Sequence, residues 1–310
     1  MGVKVSAFSL GSWLTYGTGV AENEAQKIIA EAYELGINSF DTANAYNFGA
    51  AESVLGNALK EYKRDSLVVG TKVYFPMGPG PNEGGLSRKH ITESVNKSLT
   101  RLNMDYVDIL YCHRYDEDTP IYETVRAIDD LVRAGKVLYV GVSEWTAKQI
   151  SEALAVQDKY LLDRIVVNQP PYNLLNRYIE KEVLPFCREK GIGQIVYSPL
   201  AQGMLTGKYK RNKPAPEGSR GANKDLGIWL HSEYMDFGSN FDKLEKIEKI
   251  ADEAGIKMNH LALAWVLSVP GISSAIVGAS NVEQLRDNVK AVDVDLSNDI
   301  LEALNEAAPV

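Results

Sequence analysis

Cysteine is scarce. Cys112 and Cys187 are the only two in 310 residues, too few for a disulfide framework, and without a CxxC pair they offer neither a zinc site nor a dithiol couple. A reducing cytoplasm is the expected setting and no metal is expected. Long apolar runs are lacking too. The most apolar window, 261–279, is interrupted by Ser268, Pro270, Gly271, Ser273 and Ser274, so it reads as a short helix followed by a strand rather than a membrane span. The opening MGVKVSAFSLGSW has no apolar core of signal-peptide length. Basic charge is in deficit: 33 Lys and Arg face 41 Asp and Glu, a net charge of −8, which argues against a nucleic-acid partner. GxGxxG and Walker sequences are absent. GMLTGKY, 203–209, has one residue too few between its glycines and no Ser or Thr after its lysine.

What is present is a regular alternation. The hydrophobic fraction of 45% is that of a globular chain. Short apolar runs bounded by turn residues predict strands over 7–13, 38–43, 67–73, 107–113, 137–143, 165–169, 194–198 and 274–278. Helical spacing predicts helices over 22–35, 51–61, 88–102, 121–134, 146–157, 179–190, 259–269 and 281–291, with Gly36, Gly135 and Gly191 where a left-handed C-cap is wanted. Nearly continuous apolar strands need both faces covered, and strict alternation implies parallel neighbours joined by right-handed crossovers. Eight such units predict an α/β fold, a (β/α)₈ TIM barrel, as one domain over 1–310. The typical barrel has about 250 residues. The surplus is visible as a Gly/Pro/Lys-rich stretch from about 202 to 240 after the seventh strand, and as PMGPGPNEGG after the third.

Barrel chemistry sits at the carboxyl ends of the strands. The second strand ends in FDTANAY with Asp41 and Tyr46, the third with Lys72, the fourth with His113. Any one of these residues alone also suits packing or a structural ion pair. A lysine at an apolar strand end must be paired to avoid a large desolvation cost, and Asp41 supplies the counter-ion. A tyrosine titrates near 10, and an adjacent ammonium lowers its proton affinity, which makes it a general acid. His113 can orient a carbonyl oxygen beside the Tyr46 hydroxyl. Such a set protonates a carbonyl oxygen while a hydride from a nicotinamide attacks its carbon. A rival chemistry is Schiff-base formation on Lys72. Between 208 and 224, six basic residues (Lys208, Lys210, Arg211, Lys213, Arg220, Lys224) face one acid, Glu217. They read either as a solvated loop or as a clamp over an anionic ligand, with Lys208 near a pyrophosphate and Arg220 near an extra ribose phosphate. GASNVEQLRDN places Ser280 at a helix start with Gln284 and Asn288 along one face, an arrangement suited to adenosine phosphate and base edges.

FDTANAYNFGAAESVLGNAL, GLSRKHITESVNKSLTRLNMDYVDILYCHR, VGVSEW, YSPLAQGMLTGKY, GSR and IVGASNVEQLRDN resemble the aldo-keto reductase superfamily, and within it the branch that includes the voltage-gated potassium-channel β subunits. The resemblance runs from Leu10 to about Leu304. It implies NADPH-dependent reduction of aldehydes or ketones, with the catalytic tetrad on Asp41, Tyr46, Lys72 and His113. It implies further that Ser143 and Gln169 hold the nicotinamide carboxamide and that Tyr197 stacks under its ring. Ser198, Pro199, Leu200, Ala201, Gln202, Gly203 and Lys208 would follow the pyrophosphate. Arg220, Gly278, Ser280, Gln284 and Asn288 would surround the adenosine end, and Ser12, Trp13 and Asp41 would complete the NADP(H) site. Trp13, Tyr46, Tyr74, His113, Trp145 and Trp229 are the expected walls of the substrate pocket. Two positions depart from relatives. Glu144 stands where many members carry Asn, which removes that carboxamide contact, and His113 stands where channel subunits carry Asn, which favours a working reductase over a nicotinamide-sensing channel subunit. A homo-oligomer, a tetramer, is also implied.

Overall fold

A computed structural model describes residues 2–16, 20–235 and 237–310; Asp236, inside the predicted 202–240 stretch, lies outside the described residues, as does Met1. In chain order the strands are β1 (Phe8–Gly11), β2 (Ser39–Asp41), β3 (Val68–Val73), β4 (Val107–Cys112), β5 (Val137–Val142), β6 (Ile165–Asn168), β7 (Gly193–Val196) and β8 (Ile272–Val277). Every neighbouring pair is parallel, and β8 pairs with β1, so the sheet closes on itself as a (β/α)₈ barrel. Closure leaves no sheet edge to be capped.

The helices are α1 (Glu22–Glu34), α2 (Ala50–Leu59), α3 (Arg88–Leu102), α4 (Ile121–Arg133), α5 (Ala147–Tyr160), α6 (Val183–Glu189), α7 (Ile228–Leu230), α8 (Gly238–Ala254), α9 (Met258–Ser268), α10 (Val282–Val289) and α11 (Asn298–Ala307). Local chemistry sets several ends. Ser87 accepts from the His90 amide to start α3, and Thr146 and Gln149 form a reciprocal capping box on α5. Gly36, Gly135 and Gly191 take positive φ as expected.

Three expectations change. The predicted helix over 179–190 is a 3₁₀ turn, Tyr178–Glu180, followed by the shorter α6, because Pro185 has no amide proton and must lie in a helix's first turn. The 202–240 stretch is not one irregular loop: it contains short turns, then α7, and α8 begins at Gly238. Helices α8 and α11 were not anticipated. They lie outside the repeating strand–helix unit, which already assigns α9 as the crossover to β8.

The barrel interior is filled by Val68, Ile109, Tyr111, Val167, Ile195 and Ile276, and a larger core lies between strands and helices. Tyr111, from β4, is the largest of the interior side chains and is fully buried. It fills the floor immediately below the carboxyl ends of the strands, with Lys72 Nζ 5.8 Å from its ring centre.

Candidate active site

Backbone pairing continues past the strand ends and holds the polar residues in place. The Thr42 amide donates to the Gly70 carbonyl (2.9 Å) and the Asn44 amide to the Lys72 carbonyl (3.2 Å), so the segment after β2 is tied to β3. Tyr46 follows at the start of a tight turn in which Asn47 and Phe48 have φ of 47° and 50°. The His113 amide donates to the Val73 carbonyl at 3.0 Å, the Ser143 amide to the Cys112 carbonyl at 2.9 Å, and the Gln169 amide to the Val142 carbonyl at 2.8 Å.

These ties bring Asp41, Tyr46, Lys72 and His113 together. Lys72, 1% exposed, donates to Asp41 Oδ1 at 2.5 Å and to the Thr42 carbonyl at 2.8 Å. Its ammonium lies 4.8 Å from the Tyr46 ring centre, and the Tyr46 and His113 rings meet edge-on with centres 5.7 Å apart. Burial would depress the Lys72 pKa, but the Asp41 charge, with Tyr46 beside it, outweighs burial and holds the ammonium above its ordinary range. Burial pushes the Tyr46 phenol up, opposed chiefly by the Lys72 charge, so the neighbouring ammonium does not lower the phenol's net affinity as the sequence led one to expect. Burial, then the charges of Lys72 and Arg114, hold His113 well below its usual range as a neutral imidazole.

The remaining residues divide into those at the same mouth and those placed otherwise. Gln169 donates to Asp41 Oδ2 at 2.8 Å and Ser143 donates to the Gln169 carbonyl at 2.7 Å, so both adjoin the tetrad. Ser12 is buried with an unpartnered hydroxyl, and Arg220 stands 5.9 Å above the half-buried Trp13 ring. Tyr197 donates to Glu144. Ser198 holds φ at 51° while its carbonyl accepts from Asn173, and Pro199 and Leu200 lead into the turn Ala201–Thr206, where Ala201 and Gln202 also have positive φ. Lys208 folds back over Gly203, where a Cβ would stand 2.9 Å from the lysine Cε. Gly278 is exposed. Ser280 is not the helix cap: Asn281 caps α10, and the Ser280 hydroxyl donates to Gln284 at 2.9 Å. Asn288 is buried and its amide oxygen accepts from Asn259 at 3.2 Å.

In the expected pocket wall, Tyr74 packs edge-on to Phe75, whose ring is in turn edge-on to His113 with centres 4.8 Å apart. Trp145 is 2% exposed and packed against Tyr115, whereas Trp229, on α7, is 52% exposed. Phe75, Tyr111 and Arg114 adjoin the tetrad and were missed from sequence. Phe75 and Tyr111 read as apolar core, and Arg114 as an ordinary surface cation.

The donor set suits a phosphorylated dinucleotide. Lys208 and Arg220 are two cations without an ion pair among the described residues, and Ser219 beside Arg220 has a buried, unpartnered hydroxyl. No group of acidic, cysteine or histidine side chains that could hold a metal is found among the described residues. No described helix is long and apolar enough to cross a membrane.

The chain is 44% identical over 297 residues to a protein of Arabidopsis thaliana described as "Probable voltage-gated potassium channel subunit beta", covering 94% of this chain and 89% of the relative. An Oryza sativa protein of the same description is 41% identical, at 94% and 89% coverage. An "L-glyceraldehyde 3-phosphate reductase" of Escherichia coli K12 is 37% identical over 299 residues, covering 94% of this chain and 85% of the relative. The sequence profile described as "Aldo/keto reductase family" matches residues 7–309, nearly the whole of the barrel whose strand ends assemble the site. Barrel, strand-end tetrad and full-length match agree, and the chain belongs to the Aldo/keto reductase family, a family of oxidoreductases.

Proposed function

We propose that the protein is an NADPH-dependent carbonyl reductase that converts an aldehyde or ketone to its alcohol, with Tyr46 as general acid. The observation that carries this reading is the buried Asp41–Lys72 pair at 2.5 Å with Tyr46 and His113 packed beside it. Ser143 and Gln169 would hold the carboxamide, Tyr197 the ring face, Lys208 the pyrophosphate, and Arg220 with Ser280 and Gln284 the ribose phosphate. Bound there, the nicotinamide supplies a hydride to the carbonyl carbon.

The protein's own residues handle the oxygen and its proton. His113, neutral, donates an N–H toward the carbonyl oxygen and holds it beside the phenol. Tyr46 keeps its proton at neutral pH and releases it to the oxygen as negative charge develops there. Lys72 stabilises the phenolate left behind, and Asp41 keeps Lys72 charged and aimed. The Schiff-base alternative needs a neutral amine. Lys72, with its proton held above the ordinary range and its donors engaged by Asp41 and Thr42, is a poor nucleophile.

The test is oxidation of NADPH with 4-nitrobenzaldehyde by the purified protein. Tyr46→Phe should lower turnover by about 10²–10⁴-fold, the usual span of a general acid, while cofactor affinity, read by fluorescence, stays near wild type. Turnover retained in Tyr46→Phe removes Tyr46 as the acid. The likeness to described channel β subunits supports a second reading, a nicotinamide-sensing subunit. Tight NADPH binding by the wild type with no turnover on any aldehyde would favour it.

A further inference from the structure

Glu144 follows β5 and has φ of 55°, a left-handed conformation uncommon outside glycine and asparagine. Its carboxylate lies at the barrel mouth, where it pairs with Arg114 Nη2 at 2.7 Å and accepts the Tyr197 hydroxyl. Arg114 follows His113 and donates Nη1 to the His113 carbonyl at 2.5 Å. Its guanidinium stands 5.5 Å from the centre of the Phe75 ring that abuts His113. The charge of Arg114 is felt at both Tyr46 and His113. A second carboxylate, Glu233, accepts from Gln202 Nε2 at 3.0 Å and lies near enough to Glu144 and Arg114 to feel both charges. Glu144 therefore holds the guanidinium directly, and Glu233 adds a second negative charge nearby, beside the opening over the tetrad.

Alone, Arg114 would be a ready receptor for a phosphate or carboxylate, since its planar fork matches either group. Its fork is instead filled from within. An incoming anion would have to displace a carboxylate that also anchors Tyr197, and would then lie beside it and Glu233, a like-charge juxtaposition that is strongly unfavourable. Selectivity of this kind comes from repulsion as much as attraction.

We propose that Glu144, with Glu233 beside it, is a specificity-determining residue that keeps Arg114 occupied and so selects uncharged or cationic carbonyl compounds over those bearing a carboxylate or phosphate. The inference rests on the reductase reading above. It is tested by the ratio of kcat/KM for 4-carboxybenzaldehyde to that for 4-nitrobenzaldehyde. The wild type should favour the nitro compound, Glu144→Gln should raise the ratio about tenfold or more, and Glu144→Gln combined with Arg114→Gln should bring it back toward wild type. A purely structural role lowers both substrates together and leaves the ratio alone. An unchanged ratio in Glu144→Gln, or a rise that survives the loss of Arg114, overturns the proposal. Wild type that reduces neither compound overturns the reductase reading itself. Should Glu144→Gln fail to fold, Glu233→Gln leaves the Arg114 and Tyr197 contacts in place and should raise the same ratio; no rise there overturns the proposal.

Discussion

Lys72 is a charged group inside a barrel, and a buried ion costs several kcal/mol unless its partners offset the loss of water. Asp41 and the Thr42 carbonyl do so here. His113 solves the same problem by remaining uncharged. As pH falls through about 6.5, the unfolded chain takes up a proton on this imidazole while the native state resists it, so the unfolded state binds more protons and stability declines with acidity. The expected result is a Tm that falls between about pH 7 and about pH 5, and falls less in His113→Asn; equal slopes would mean that His113 is not the group resisting the proton. The tetrad was legible in the sequence because Asp41, Lys72 and His113 interrupt apolar strands, where a charge has no cheap explanation. Arg114 was not legible. A cation in a loop announces nothing until Glu144, some thirty positions away, turns back to meet it, and the aromatic floor at Tyr111 looked like any strand tyrosine.

At the level of elements, α2 and α3 approach so closely that a Cβ on Gly56 would stand 2.3 Å from the Leu102 carbonyl oxygen. Glu52, fully buried on the same helix, accepts from Thr71 on β3 at 2.6 Å and from Arg101 on α3 at 2.7 Å, so α2 cannot shift without breaking a buried ion pair. Helix propensity alone predicts that Gly56→Ala stabilises by about 1 kcal/mol. The packing predicts the opposite, a loss of about 1–3 kcal/mol. Urea denaturation decides the sign, and a gain in stability would show that the helices can part. Elements with a strong local signal were readable in advance: all eight strands, and helices such as α3 with its serine cap. Those that depend on tertiary context were not. Helix α8 begins at the end of the Gly/Pro/Lys-rich stretch, carries its apolar spacing at Leu244, Ile247 and Ala251 with no strand directly after it, and α11 packs against α8 rather than against a strand that would have called for it.

For the whole molecule, ligand and fold should be linked. A dinucleotide that binds only the native barrel adds about 2.7 kcal/mol at a hundredfold excess over its Kd, which a scan registers as a Tm several degrees higher. NADPH is expected to raise the Tm more than NADH, and Arg220→Ala should erase most of that difference; an unaltered difference would remove Arg220 from the ribose phosphate. The architecture was legible because eight apolar strands each followed by a helix call for a parallel sheet with both faces covered, and eight such units match a closed barrel. Closure also has a consequence for how the molecule comes to life. The carboxylate, the ammonium, the imidazole and the amide of Gln169 arrive on four separate staves of one cask, and the last hoop, β8 against β1, is what makes the cask round. Asp41, Lys72 and His113 stand on neighbouring staves, but the amide of Gln169 reaches Asp41 from across the mouth, a contact that needs the curved wall.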